Sequence, residues 1–181
     1  MIDSKKFISI LPEKKNCGMM LTCVHLGENE YDKMGGVSMI DIMDAAHYLV
    51  YLSYHEKRGS LTPLKLQKLL YLAQGWSYVW DNKPLFQSEF EAWQYGPVNV
   101  DVYNYFKSYG RTEIPEHEGW VCQFGDMDSK ETLDAIWEKY CSHSAFELVE
   151  ITHKQEPWKL AYLRRGTIKN SDIKKYFQST Y

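Results

Sequence analysis

Hydrophobic and polar positions divide the chain into an opening stretch without a clear period and a longer stretch of helical repeats. The change falls at "MIDIMDAAHYLVYLSYHEKRG". There Met39, Met43, Ala46, Val50 and Tyr54 recur at helical spacing, Ser38 is placed to cap the start, and Gly59 follows the basic end. In "LTPLKLQKLLYLAQGWSYVW", Thr62 suits an N-cap. Pro63 suits the first helical position, where its missing N–H would have no partner anyway. Leu64, Leu66, Leu69, Leu70, Leu72 and Ala73 surround most of the circumference, which predicts a central and mostly buried helix.

"QSEFEAWQYGPV" breaks the helical pattern. Its aromatics and the Gly96-Pro97 pair predict a short extended segment near residues 88–95 and a new helix from Pro97. Val98, Val102, Tyr105, Phe106 and Tyr109 would form the apolar stripe of that helix, ended by Gly110. After a polar stretch over 111–127, Asp128 and Glu131 stand in capping-box register ahead of Leu133, Ile136, Trp137 and Tyr140. Ser144 and Glu147 open a further helix that must stop or kink before Pro157. A short helix from Pro157 to Arg165 follows, and a last one, capped by Ser171, packs Ile173, Tyr176 and Phe177. The pattern predicts a mainly α fold, a single compact helical domain over residues 39–181. Residues 1–38 read as an N-terminal arm or small extension, with a small β element and a disordered stretch equally compatible.

Composition leaves that picture in place. A chain of 181 residues, 44% hydrophobic and 25% charged, suits one globular domain with a sizeable core. Its apolar runs are far shorter than the roughly 20 residues needed to span a bilayer. The first residues lack the apolar stretch of about 7 to 15 of a signal peptide. A cytoplasmic protein is therefore expected. Cys17, Cys23, Cys122 and Cys141 show no disulfide-framework spacing and read as reduced thiols.

Charge adds one feature. The net charge of −3 argues against general nucleic-acid binding. Residues Thr112 to Glu150 carry ten acidic and two basic side chains, whereas Ile151 to Tyr181 carry seven basic and two acidic. Two solvated faces account for this, and so would patches that orient a protein partner.

Candidate chemistry centres on "ELVEITHKQEPW". Glu150 and His153 form Glu-x-x-His, which places both side chains on one helical face as in di-iron bundles. A second such pair and further carboxylates are required for that site, and the sequence has no second copy. As a helix, Ala145, Leu148, Val149 and Thr152 share one face with His153 at its edge, and Trp158 would fill the angle between the helices meeting at Pro157. Cys141 and His143, two apart, point away from each other on a helix. No nucleophile elbow or phosphate-cradling loop is present. Cys17, Cys23 and His25 match no common zinc spacing. No catalytic residue, metal or cofactor is assigned. Six Trp, fourteen Tyr and seven Phe exceed the usual supply, and Tyr and Trp are frequent interface anchors. Tyr71, Trp93 and Tyr95, beside Lys65 and Lys68, are the partner-binding candidates, although each also suits the core.

Three stretches taken together, "LTPLKLQKLLYLAQGWSYVW", "FEAWQYGPVNVDVYNYFK" and "ELVEITHKQEPWKLAY", resemble the Panacea domain family. The family is also described as GepA-like phage-associated proteins and includes SocA-like antitoxins. The resemblance covers about residues 40–165. It implies a non-enzymatic antitoxin that neutralises a cognate protein toxin by direct contact. It implies, as an alternative, an adaptor that delivers the bound toxin to a AAA+ protease. A metal-dependent hydrolase built on Glu150 and His153 is the third and weakest reading.

Overall fold

The computed structural model describes residues 39–181 apart from 57–58, 117–123 and 125. The readings for residues 1–38, with Ser38 and the Cys17, Cys23 and His25 set, lie outside the described residues. Among the described residues, seven α-helices and a small three-stranded sheet make up the fold. The second helix, α2 (Pro63–Trp80), is its axis. Thr62 caps it through its side chain, with Pro63 at the first position as the sequence requires. Every residue from Lys65 to Tyr78 is buried. Around α2 pack α1 (Ile42–His55), α4 (Met127–Tyr140), α5 (Ala145–His153) and α7 (Asn170–Thr180). Gly75 is the point of closest approach: a Cβ there would stand 2.2 Å from the Phe177 ring of α7.

A helix buried on all sides cannot leave its polar side chains in water, so each must find a partner inside. Gln67 exchanges two hydrogen bonds with the Asn99 backbone, at 3.1 and 2.8 Å. Gln74 accepts from the N–H groups of Leu85 and Phe86 and donates to the Phe86 carbonyl and the Asn170 side chain. Lys65 donates to the Cys141 carbonyl at 2.6 Å, and Lys68 to the Pro97 carbonyl at 2.7 Å. These four side chains tie irregular segments to the axis.

The sheet has the order β2-β1-β3, with β1 (Phe90–Trp93) antiparallel to both β2 (Gly96–Val98) and β3 (Thr167–Ile168). The short extended segment expected near 88–95 is thus the middle strand of a sheet. Gly96, at φ +95°, makes the tight β1–β2 turn that a side chain would strain.

Four boundaries differ from expectation. Asp41, whose carboxylate accepts from Met43 N–H at 2.7 Å, caps α1. The next helix, α3 (Val100–Phe106), starts at Val100 and not at Pro97, because Gly96-Pro97-Val98 forms β2 at the edge of the sheet, where proline is tolerated, and Asn99 supplies the cap. Tyr105 consequently leaves the predicted stripe and is 50% exposed. Asp126 caps α4 in place of Asp128, which pairs instead with Lys83 at 3.0 Å. Finally, α7 begins at Asn170, so Ser171 lies inside it and does not cap. Leu133, Ile136, Trp137 and Tyr140 are buried as read, and so are Ile173 and Phe177. None of the helices among the described residues is long and apolar enough to cross a membrane.

Candidate functional site: an aromatic surface on the sheet and the sixth helix

The Ser144 and Glu147 side chains form the capping box that starts α5. The helix buries Leu148, Val149 and Thr152, and it ends at His153, ahead of the proline. Pro157 then sits in the first turn of α6 (Glu156–Leu163). Two helices therefore meet at an angle, and aromatic rings fill it. His153 stacks on Trp158 with centroids 3.9 Å apart and planes 16° from parallel. Trp158 stacks in turn on Tyr162, one helical turn on, at 4.8 Å and 18°.

The column is fastened to the sheet. The Trp158 indole donates to the backbone carbonyl of Trp93 at 3.1 Å. The Trp93 ring meets Tyr103 of α3 edge-on at 4.8 Å, and its own indole N–H donates to the Glu91 carboxylate at 2.7 Å. At the turn beyond β1, Tyr95 is 53% exposed and faces Phe146 of α5, itself 66% exposed, at 6.4 Å. Four segments, the β1–β2 turn, α3, α5 and α6, thus contribute exposed rings around the half-buried Trp93.

A groove of about 560 Å³ opens beside this frame, lined by Glu91, Ala92 and Trp93 on one side and Tyr162, Leu163, Arg165, Gly166 and Thr167 on the other. The strand register explains its floor. Glu91 pairs with Thr167, so the same register carried outward sets Trp93 opposite Arg165. The end of α6 explains its wall. Gly166 N–H donates to the Ala161 carbonyl and Arg165 N–H to the Tyr162 carbonyl, at 3.0 and 3.1 Å. These two bonds form a Schellman motif, in which glycine usually takes the left-handed position. Here Arg165 takes it, at φ +51°.

Behind the surface lies a buried polar contact. A Cβ on Gly96 would meet both Lys68 Cε and Thr152 Oγ1 at 2.8 Å, so α2, α5 and the hairpin touch at that point. Burial holds the Lys68 amine down at about 7. The His153 ring is likewise held below its ordinary value, by burial first and by the Lys68 charge second, against a backbone hydrogen bond to Gln94 that favours protonation. Its Nε2 is buried without a hydrogen-bond partner. Lys65 is lowered too, by burial, while Cys141 and Glu147 oppose the shift.

The sequence candidates separate into two groups. Trp93, Tyr95, His153 and Trp158 come together around the β1–β2 turn and the α5–α6 joint. Lys65, Lys68 and Tyr71 are corrected as outer contacts: all three are buried, and Tyr71 packs against Phe90 and Phe177. Glu150 is exposed while His153 packs on Trp158, and among the described residues no three His, Cys, Asp or Glu side chains gather as metal ligands would. Tyr103, Phe146, Tyr162, Leu163 and Arg165 were not singled out from the sequence. The signal for the last two was present in the "AYLRRG" run, where an unpartnered leucine stands beside two arginines.

Comparison with known proteins agrees with this frame. The family described as "Antitoxin SocA-like, Panacea domain" matches residues 66–159, from the first buried turn of α2 into α6. "Antitoxin SocA" of Caulobacter vibrioides is 46% identical over 118 residues, an alignment that takes in 59% of this chain and 63% of the relative. The chain thus spans less than two thirds of that curated relative's length. No solved structure matches. The residues matched are those that build the axis, the hairpin and the His153–Trp158 joint, and the chain belongs to the family of SocA-like antitoxins with a Panacea domain.

Proposed function

We propose that this protein is an antitoxin that neutralises a cognate protein toxin by direct contact, through the aromatic surface around β1 and α6. The observation that carries the reading is the set of exposed large apolar side chains, Tyr95, Phe146, Tyr162 and Leu163, on a frame whose supporting rings are stacked and hydrogen-bonded. Interfaces draw most of their affinity from a few rigid aromatic and arginine anchors. Anchors already fixed before binding lose little conformational freedom when the partner arrives. Family membership supports the antitoxin role, and the buried polar contacts of α2 supply rigidity and not chemistry.

Co-expression with the product of the adjacent gene tests the proposal. Growth should be restored by the wild-type chain in a host that lacks its AAA+ protease, and lost with Tyr95→Ala/Phe146→Ala, whose rings are outside the core. Rescue that depends on the protease would replace neutralisation by adaptor delivery. Failure of the wild-type chain to rescue growth would remove the antitoxin reading.

A further inference from the structure

The groove beside the aromatic frame has a composition that selects its occupant. Its wall carries Leu163, the most exposed of the described large hydrophobic residues at 80%, next to Tyr162 at 42%. Leu160, 43% exposed, precedes Leu163 by three residues and so shares its side of α6. An exposed leucine pair beside a concave surface is the arrangement that takes an apolar side chain from a partner. The rim is basic. Arg164, Arg165 and Lys169 are all exposed and flank the Gly166-Thr167 edge, and Lys159 stands one turn before Leu163. The acidic group on the floor, Glu91, is engaged by the Trp93 indole N–H. Three further exposed carboxylates lie at the margins. Glu156 is a full two turns before Leu163 at the far end of α6. The β1–β3 register carried one residue outward sets Glu89 opposite Lys169, and Asp172 follows Lys169 in the first turn of α7. The cations free of a nearby carboxylate are thus those of Arg164 and Arg165. β3 is an edge strand of the sheet, with β1 on its inner side.

We propose that this groove receives an acidic protein segment bearing an apolar side chain. Leu163 and Tyr162 take up the apolar group, and Arg164 and Arg165 pair with the carboxylates beside it. The conformation of Arg165 fits that role. The Schellman motif closes with two backbone hydrogen bonds whatever the residue, and an arginine there aims a guanidinium at the groove lining, opposite Trp93. Guanidinium pairs carboxylates in a planar, two-bond geometry that lysine does not offer. That the segment belongs to the toxin rests on the direct-binding reading; the groove's preference for acidic over basic peptides does not.

The test uses the full-length, isotope-labelled chain and two synthetic peptides, Ac-DELFDE-NH2 and its charge-reversed partner Ac-KRLFKR-NH2. Chemical shifts are followed during titration at low salt, where exposed charge pairs are least screened. The acidic peptide should give saturable shifts at the Trp93 indole and at Leu163, Arg165 and Thr167, and should bind at least tenfold more tightly than the basic one. Arg164→Glu/Arg165→Glu should reverse the preference, Leu163→Ser should weaken both peptides, and Lys107→Glu/Lys175→Glu should change neither. Absent shifts, shifts scattered over the surface, or equal binding of both peptides overturn the proposal. The outcome is separable from the toxin experiment. Peptide selectivity without growth rescue leaves the groove standing and removes the toxin as its occupant, whereas rescue without peptide selectivity places the toxin elsewhere.

Discussion

His153 lies flat against Trp158, 3.9 Å between ring centroids, at the junction of the fifth and sixth helices. The contact gives the histidine a structural role, since its ring spans the joint that positions Trp158 under Trp93 and Tyr162. Stacked aromatic pairs are worth about 0.5–1.5 kcal/mol beyond the area they bury. His153→Ala should therefore lower stability by about 1 kcal/mol in urea unfolding while growth rescue at low temperature is retained. Loss of rescue in a fully folded His153→Ala protein would instead make the imidazole a working group.

How much of this was legible in the sequence depends on the kind of signal. The helices were, because burial imposes a 3.6-residue period on Leu133, Ile136 and Tyr140 as it does on Ile173 and Phe177. Their exact starts were less so. Several carboxylates and hydroxyls compete for each cap, and the winner is decided by the tertiary position of the entering chain, as with Asp126 over Asp128. The third strand has two residues and no period to read. The joint at His153 and Trp158 was visible from spacing. The groove was not, since its walls come from residues 91–93 and 162–167, and only the strand register brings them together. Lysine is rarely buried without a partner, so Lys65 and Lys68 are residues whose burial the sequence does not announce. A helix apolar around its whole circumference has no outward face to give them.

Lys68 makes stability depend on pH. Its amine titrates at about 7 in the folded chain and near 10.5 when unfolded. Between those values the unfolded chain binds more protons, so stability rises with pH through this window, by up to about 1.4 kcal/mol per unit. Below pH 7 both states are protonated and the penalty for the buried charge is complete. Urea unfolding at pH 7, 8 and 9 should show the wild type gaining on Lys68→Met as pH rises. A difference that stays constant with pH would contradict the neutral, buried amine.

Gly75 has no room for a methyl group. The Phe177 ring that occupies its Cβ position also packs on Tyr71 and Trp76, so it has little freedom to withdraw. Gly75→Ala should cost about 1–3 kcal/mol, as other overpacked cores do, despite alanine's better helix propensity. A thermal midpoint equal to or above the wild type's would show that α7 moves away freely.

Arg165 holds a left-handed conformation that costs a residue with a Cβ about 1–2 kcal/mol. Arg165→Gly should raise stability by about 1 kcal/mol, the gain being reduced by glycine's greater freedom when unfolded. The same substitution should weaken binding of the acidic peptide. Lower stability on substitution would mean that the arginine is held by contacts more favourable than the strain.

The proposed neutralisation by contact through the aromatic surface needs neither protease nor ATP. Calorimetric titration of the purified full-length chain with the purified adjacent-gene product, without protease or ATP, tests it most directly. Neutralisation by contact requires a stoichiometric complex in which the toxin is inactive, and at least tenfold weaker binding by Tyr95→Ala/Phe146→Ala at unchanged fold. The absence of a complex, or a complex in which the toxin stays active until a AAA+ protease and ATP are supplied, would contradict it.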